Sequence, residues 1–439
     1  MSTTANRSRV GSAMNLSISV SLAACLSLAA LPSATAQAVT SARVASTAVS
    51  QPTAEEQRST LQVPQEILKS SKLKKRLDSF NKALSHISTY EQAQQLMADT
   101  GRTVWRQAVA QAQGESPQDA ALGADDDRAL YWTRLQMTLG VRQWKAPFAI
   151  SSRQRGALVA RLERASRGAD SVAFPSGDSV KHILITGFDP FQLDDDIRRS
   201  NPSGAAALAL DGTTIRTSSG EARIEAVIFP VRWQDFSEGT VERTLLPYFR
   251  PGSEQVDMFA TISQGDIGHF DVVRYNGNWR GGFPDNDNLA RTGSIPVPAG
   301  LPTVSPQPQW TTTSLPYGEI TAHGTGPFPV RDFTAVTEIP AGATDQVDQP
   351  DGPTPGSTPR AGGAGDYLSN EIAYRATLLR DALHASLPGG HIHTPVLEFG
   401  SGNSDPNTGQ ISDPAFLRNR AAITAQVRAI IKAAAKELH

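Results

Sequence analysis

From residue 182 onward, short apolar runs alternate with helix-forming stretches, and this alternation restricts the second half of the chain to one class of fold. Residues 182–186 (His-Ile-Leu-Ile-Thr) form an apolar run that stops at Gly187, the pattern of a strand buried on both faces. Residues 203–210 read as a short helix and 224–231 as a second strand. Residues 236–249 read as a helix stopped by Pro251-Gly252, and 258–263 as a third strand. The pattern resumes with a helix at 371–385, a strand at 391–399 and a helix at 421–438. Strands separated by helices require crossovers, so the expected fold is α/β, with a mixed, mostly parallel sheet sandwiched by helices. Residues 287–362 break the pattern: they are rich in Pro, Gly and Thr and have little helical periodicity. They read as a long loop insertion in a domain spanning 180–439, serving as a lid, a binding loop or a disordered segment.

Ahead of this domain, residues 54–170 carry a helical period. Leu73, Leu77, Phe80, Leu84 and Ile87 fall on one helix face. A second helix is expected over 126–144. A third is expected after Ser152 as its N-cap, with Leu158, Val159 and Leu162 turned inward. Trp105, Trp132 and Trp144 read as packing residues. Residues 37–53, mostly small and polar, form a linker. Residues 1–36 have the form of a signal peptide: Arg7 and Arg9, an uncharged apolar stretch over 16–31, and Ala34-Thr35-Ala36 for cleavage. The expectation is a secreted or extracytoplasmic protein. Anchoring as a lipoprotein at Cys25 is the competing outcome, weakened because the apolar run continues past that residue.

Charge and cysteine content exclude several functions. The formal net charge of −2 over 439 residues gives no electrostatic case for nucleic acid or an anionic membrane. Cys25 is the only cysteine, so cleavage near Ala36 leaves no thiol for catalysis, metal binding or a disulfide. No phosphate loop or dinucleotide fingerprint is present, and no cofactor is expected. His391-Ile392-His393 is a histidine pair without a third ligand at motif spacing; His384 is too distant, and no metal is expected. Asp194-Asp195-Asp196 reads as a solvated acidic loop.

Two segments near the C-terminus carry chemistry. Ala364-Gly365-Asp366-Tyr367-Leu368-Ser369-Asn370 is a small-residue turn that delivers a hydroxyl to the start of a helix. Ile392-His393-Thr394-Pro395 brings a histidine on a strand. A hydroxyl is a useful nucleophile only when a base takes its proton, and a helix start favours a developing negative charge. Ser369 as a plain helix N-cap and His393 as a buried structural histidine are the alternatives.

Read together with five further segments, these residues resemble the pyroglutamyl peptidase I (pyrrolidone-carboxylate peptidase) family over about 181–435. Thr186-Gly187-Phe188-Asp189-Pro190-Phe191 is similar to the family's opening TGFxPF loop, and Asn201-Pro202-Ser203 to its NPS. Ser263-Gln264-Gly265 falls at its glycine-rich loop, and Pro284-Asp285-Asn286 at its IPDN. Trp310-Thr311-Thr312 with Leu315-Pro316 resembles WTTLP. The Ser369 and His393 segments resemble AGTYVCN and IHVP. The resemblance implies an α/β peptidase that removes an N-terminal pyroglutamyl residue with a Glu, Cys, His triad. Carried over, the triad is Asp271, Ser369 and His393, with Ser in place of the nucleophilic Cys and Asp in place of Glu. The family's loop arginine has no clear equivalent. The resemblance also implies that Phe188 and Phe191 line the substrate pocket. Gln264 would orient the lactam, since a flat neutral ring suits aromatic faces and a few buried polar groups.

The expected function is an exported hydrolase acting on a peptide with N-terminal pyroglutamate or a similar small cyclic amide. Its partners would include neither nucleic acid nor, after signal cleavage, a membrane, with room for a homo-oligomer. Two other readings stay open: an inactive relative that binds a peptide or cyclic amide, and a serine amidase or esterase of altered substrate. Asn201 is expected to hold its loop rather than touch substrate.

Overall fold

The structure, a computed structural model, describes residues 49–115, 122–177, 179–218, 220–383 and 386–438. Residues 1–36, expected to be a signal peptide, with Cys25, then residues 37–48 of the expected linker, and His384, lie outside the described residues. Six helices come first: α1 (Ala54–Arg58), α2 (Gln62–Lys69), α3 (Leu73–Leu84), α4 (Tyr90–Ala112), α5 (Asp127–Gln143) and α6 (Ser152–Ser166). Side-chain caps start α1, α4, α5 and α6; Thr53 with Glu56 and Ser151 with Gln154 form capping boxes. The cap of α6 is therefore Ser151, one residue before the expected Ser152. The face Leu73, Leu77, Phe80, Leu84 is buried. Trp105 and Trp132 are fully buried.

The α/β part follows with β1 (Val180–Phe188), α7 (Pro202–Leu210), β2 (Thr213–Thr217), β3 (Gly220–Phe229), α8 (Trp233–Ser237), α9 (Thr240–Phe249), β4 (Met258–Gln264) and β5 (Phe270–Val273). One helix was expected over 236–249. Two are present, broken at Gly239, whose positive φ of 80° a side chain would resist. The segment 287–362 is not structureless. It carries short strands and one helix: after β6 (Tyr275–Gly277) and β7 (Arg280–Gly281) come β8 (Thr292–Gly293), β9 (Trp310–Thr312), α10 (Tyr317–His323), β10 (Val330–Phe333), β11 (Val336–Ile339), β12 (Val347–Gln349) and β13 (Thr358–Ala361). The chain ends with α11 (Leu368–Leu383), β14 (Gly389–Thr394) and α12 (Pro414–Ala434).

The main sheet is mixed and mostly parallel, as expected, in the order β10-β5-β14-β4-β1-β3-β2. β1 pairs in parallel with β3 and β4, β14 with β4, and β10 with β5; β14–β5 and β2–β3 are antiparallel. β1 is buried from His182 to Phe188 apart from its first two residues, because helices cover both faces of the sheet. One core joins the inner side chains of α2 to α6 to those of α7, α12 and one sheet face; a second lies under α8, α9 and α11. The described residues accordingly form one compact unit. Among the described residues, no helix is long and apolar enough to cross a membrane.

Candidate functional site

Three parallel strands, β1, β4 and β14, finish side by side at Phe188, Gln264 and Thr394. In open α/β sheets ligands sit outside such carboxyl ends. His393 lies at the end of β14, beside Ser263 of β4 and opposite Asp271 of antiparallel β5. Opposed residues of an antiparallel pair share a sheet face, so this register is what makes Asp271 and His393 neighbours. Gly265 lets the loop after β4 close over His393. A Cβ at Gly265 would stand 2.6 Å from the Cβ, Cγ and Nδ1 of that histidine.

His393 is buried, and its Nε2 has no hydrogen-bond partner among the described residues. Burial lowers its pKa to about 4, against a weaker upward pull from Asp271 and Asp266, with His269 also lowering it. At neutral pH the imidazole is therefore uncharged, the form that accepts a proton. Asp271 is almost wholly buried, yet its carboxylate is committed elsewhere. Arg331 of β10 donates from Nε to Oδ1 (2.7 Å) and from Nη2 to Oδ2 (3.0 Å), and His269 Nε2 lies 3.3 Å from Oδ2. No hydrogen bond among the described residues joins Asp271 to His393.

Ser369 is the second residue of α11, so it stands within the first helical turn rather than at the cap. Its Oγ makes no hydrogen bond among the described residues, so the plain N-cap alternative does not hold. The turn before it is closed by reciprocal backbone bonds between Gly362 and Gly365, the latter with φ of 78°. Asn370 pins the helix start. Its Nδ2 donates to Gly277 O (2.8 Å) and Trp279 O (3.1 Å), while its Oδ1 accepts from Gly277 N (2.9 Å). Glu371 is held by Arg280 Nε (2.6 Å) and Arg375 Nε (2.7 Å).

Ser369, His393, Asp271, Phe191 and Gln264 all line one cavity of about 1080 Å³. Phe188, Phe191, Gln264 and Ser369 also line a small adjoining cleft with Tyr367 and Asn201. Phe188 is less free than expected. It is 3% exposed and stacks on Phe236 (6.1 Å), so little of the ring is open to the cleft. Phe191 is half-buried and lies 6.3 Å from the Tyr367 ring. Asn201 holds its loop: Nδ2 donates to Asp189 O (3.0 Å), and Oδ1 accepts from Ser203 N (3.1 Å) and Ser203 Oγ (2.8 Å).

The His391 half of the histidine pair is engaged within the sheet. The ring nitrogens of His391 lie 2.8 Å from Thr261 Oγ1 and 2.9 Å from Ser263 Oγ and are occupied there. A cluster of potential ligands instead comprises Asp266, His269 and Asp271, whose ligand atoms lie within 4.8 Å of one another. The Arg331 guanidinium already fills the carboxylate of Asp271 with a permanent positive charge, which opposes a cation there.

Sequence reasoning missed Tyr367 and Arg331. Tyr367 had a signal, since it sits two residues before Ser369 in a motif already singled out. Arg331 had none. It lies in the 287–362 segment, and only the β10–β5 register, Arg331 opposite Asp271, brings it to the site.

The family model for the PA0049 N-terminal domain matches residues 34–163, and that for the PA0049 C-terminal domain matches residues 182–307 and 328–398. The chain is 35% identical over 444 aligned positions to "Uncharacterized protein PA0049" of Pseudomonas aeruginosa, covering 79% of this chain and 78% of that protein. Among solved structures, a mutant pyrrolidone carboxyl peptidase of the hyperthermophile Pyrococcus furiosus is 19% identical, with a TM-score of 0.40 over 59% of this chain and 100% of that chain. Pyroglutamyl peptidase I of Bacillus amyloliquefaciens is 18% identical, with a TM-score of 0.38 over 58% of this chain and 97% of that chain.

Proposed function

This chain belongs to the PA0049 family, and we propose that its α/β part is a hydrolase that removes an N-terminal pyroglutamyl residue, or a similar small cyclic amide, from a peptide. One observation carries the reading: Ser369, His393, Asp271, Phe191 and Gln264 come from five separate segments and line a single cavity. In the proposed reaction Ser369 Oγ attacks the amide carbonyl while neutral His393 takes the hydroxyl proton. Free backbone N–H groups at the start of α11 support the oxyanion. The C–N bond then breaks, the proton passes from His393 to the leaving amine, and water hydrolyses the acyl-serine. The ring of the substrate would lie against Phe191, with Gln264 bonding its lactam.

A second reading is favoured by the Arg331–Asp271 pair. With its carboxylate engaged, His393 lacks the partner that would orient it, as expected of a relative that binds the ring without cleaving it. Hydrolysis of a pyroglutamyl-anilide by the chain and by its Ser369→Ala form, beside titration of both with pyroglutamate, separates the two. Turnover lost in Ser369→Ala supports the hydrolase. Saturable binding by both forms without turnover supports the binder. Export belongs to the same proposal: the exported protein should begin near Gln37, and a lipid-modified Cys25 would overturn that.

A further inference from the structure

The loops that shape the ring pocket are held from two sides: by the α/β part, through bonds such as Asn286 N to Val231 O and Trp233 N to Asp285 Oδ2, and by buried side chains of the helical segment. Asp189 sits between Phe188 and Phe191 and is 2% exposed. Its two carboxylate oxygens accept from Arg134 Nη2 of α5 and from Arg167 Nη1, just after α6, the latter at 2.5 Å. The second loop, 284–288, is tied by α1. Arg58 donates from Nη1 to Asn286 O, from Nη2 to Asn288 Oδ1 (2.8 Å), and from Nε to Asp194 Oδ1 (2.7 Å) in the first loop. Asn286 Nδ2 then bridges the two loops and the helices, reaching Pro190 O (2.9 Å), Glu55 Oε1 (3.1 Å) and Tyr131 Oη (3.3 Å).

A second observation is independent of these bonds. The non-glycine residues with positive φ among the described residues are Gln192 (56°) and Asn288 (59°), one in each of these loops. Side chains seldom adopt that region, asparagine more readily than glutamine, so Gln192 in particular is held there by its surroundings. Buried guanidinium–carboxylate pairs add little net stability, because desolvation offsets their attraction, but they fix orientation where both partners are present. Buried charge at Arg134, Arg167 and Asp189, with strained backbone beside it, is the arrangement of a clamp.

We infer that the helical segment 54–167 helps set the geometry of the ring pocket, with Arg134 and Arg58 (which also lines the cavity) as positioning residues that hold the loops 187–194 and 284–288. The inference rests on the proposed function only in taking that pocket as the ring site. It assigns the helices a role in ligand affinity rather than in the chemical step. Arg58 is the better probe, because its partner Asp194 is exposed and its loss leaves no deeply buried counter-charge.

The test uses the full chain with Arg58→Met and Arg58→Lys, read by hydrogen exchange and by pyroglutamate titration. In Arg58→Met, amide exchange over 187–194 and 284–289 should rise about tenfold or more while that over 258–264 stays unchanged, the signature of local opening. Pyroglutamate affinity should fall by a similar factor, and Arg58→Lys should recover part of both; an affinity loss with unchanged loop exchange would mean that Arg58 touches the ligand directly and overturns the inference. Where the chain turns over a substrate, KM should rise while kcat holds. Unchanged exchange in both loops overturns the inference. So does a uniform rise across the sheet, which would mean a merely structural role. Loosened loops in a chain that never binds pyroglutamate would sustain the clamp and sink the ring-substrate reading instead.

Discussion

At the scale of single residues, the site turns on how the Asp271 carboxylate is shared. His393 faces it across the β5–β14 pair, but Arg331 holds both of its oxygens. The imidazole pKa is depressed from 6.5 to about 4. A reaction that needs the neutral base is then at full rate from about pH 5 upward and falls only as pH drops through about 4. The pH dependence of kcat/KM should show its acid limb there; a limb between 6 and 7 would mean that His393 is not the buried, undirected base described. Arg331→Gln removes the competing cation. The released charge of Asp271 then falls on His393, so the acid limb should move to higher pH and turnover near neutrality should increase. An unmoved limb with unchanged turnover would show that Arg331 does not govern the base.

At the scale of elements, the strand ends make the site and a glycine makes room for it. Gly265 follows β4, and any Cβ there collides with His393. Gly265→Ala should leave the sheet folded but push the imidazole aside. A displacement of order 1 Å costs about a hundredfold in rate, so turnover should drop by one to two orders of magnitude, roughly, with pyroglutamate binding reduced far less. Equal losses of fold and activity would mean that the glycine serves the strand instead. Much of this level was legible in the chain. The apolar run at 182–186, the turn before Ser369 and the histidine strand each declare themselves locally, and residues 371–383 are helical as expected. The strands between 287 and 362 did not, because pairs of two to four residues are too short to display a period. Residues 395–399 read as strand by composition, yet β14 stops at Thr394, before Pro395, which has no N–H for the ladder. The terminal helix was expected from residue 421 but starts at Pro414 under an Asp413 cap, its first turns disguised by polar residues such as Arg420, which is fully buried on Asp125 and Asp126. The Arg331–Asp271 pair was beyond sequence reasoning for the same reason as the short strands: it is a long-range register, not a motif.

At the scale of the whole molecule, the helical segment and the sheet are welded by buried polar contacts, and these make stability depend on pH. Asp127, the first residue of α5, accepts from Ser200 Oγ and from Asn201 N (2.9 Å), at the loop that leads into α7. Burial, and then the charge of Asp126, push its carboxyl up from 3.8 to about 7. Because the folded value lies above the unfolded one, the native state holds this proton more tightly. The contribution to stability is complete below about pH 4 and is lost as pH rises towards 7. An asparagine fits the same contacts: its carbonyl accepts from Asn201 N and its amide donates to Ser200 Oγ, with no charge to desolvate. Asp127→Asn should therefore differ little from the parent at pH 5 and be more stable at pH 8. The two pH units between 5 and the folded value of about 7 correspond to about 3 kcal/mol at most, an upper bound because the start of α5 favours a negative charge. Denaturant unfolding of both forms at the two pH values measures it. A variant less stable than the parent at pH 8 would mean that Asp127 works as a charged group, and that the junction is held by its ionised form.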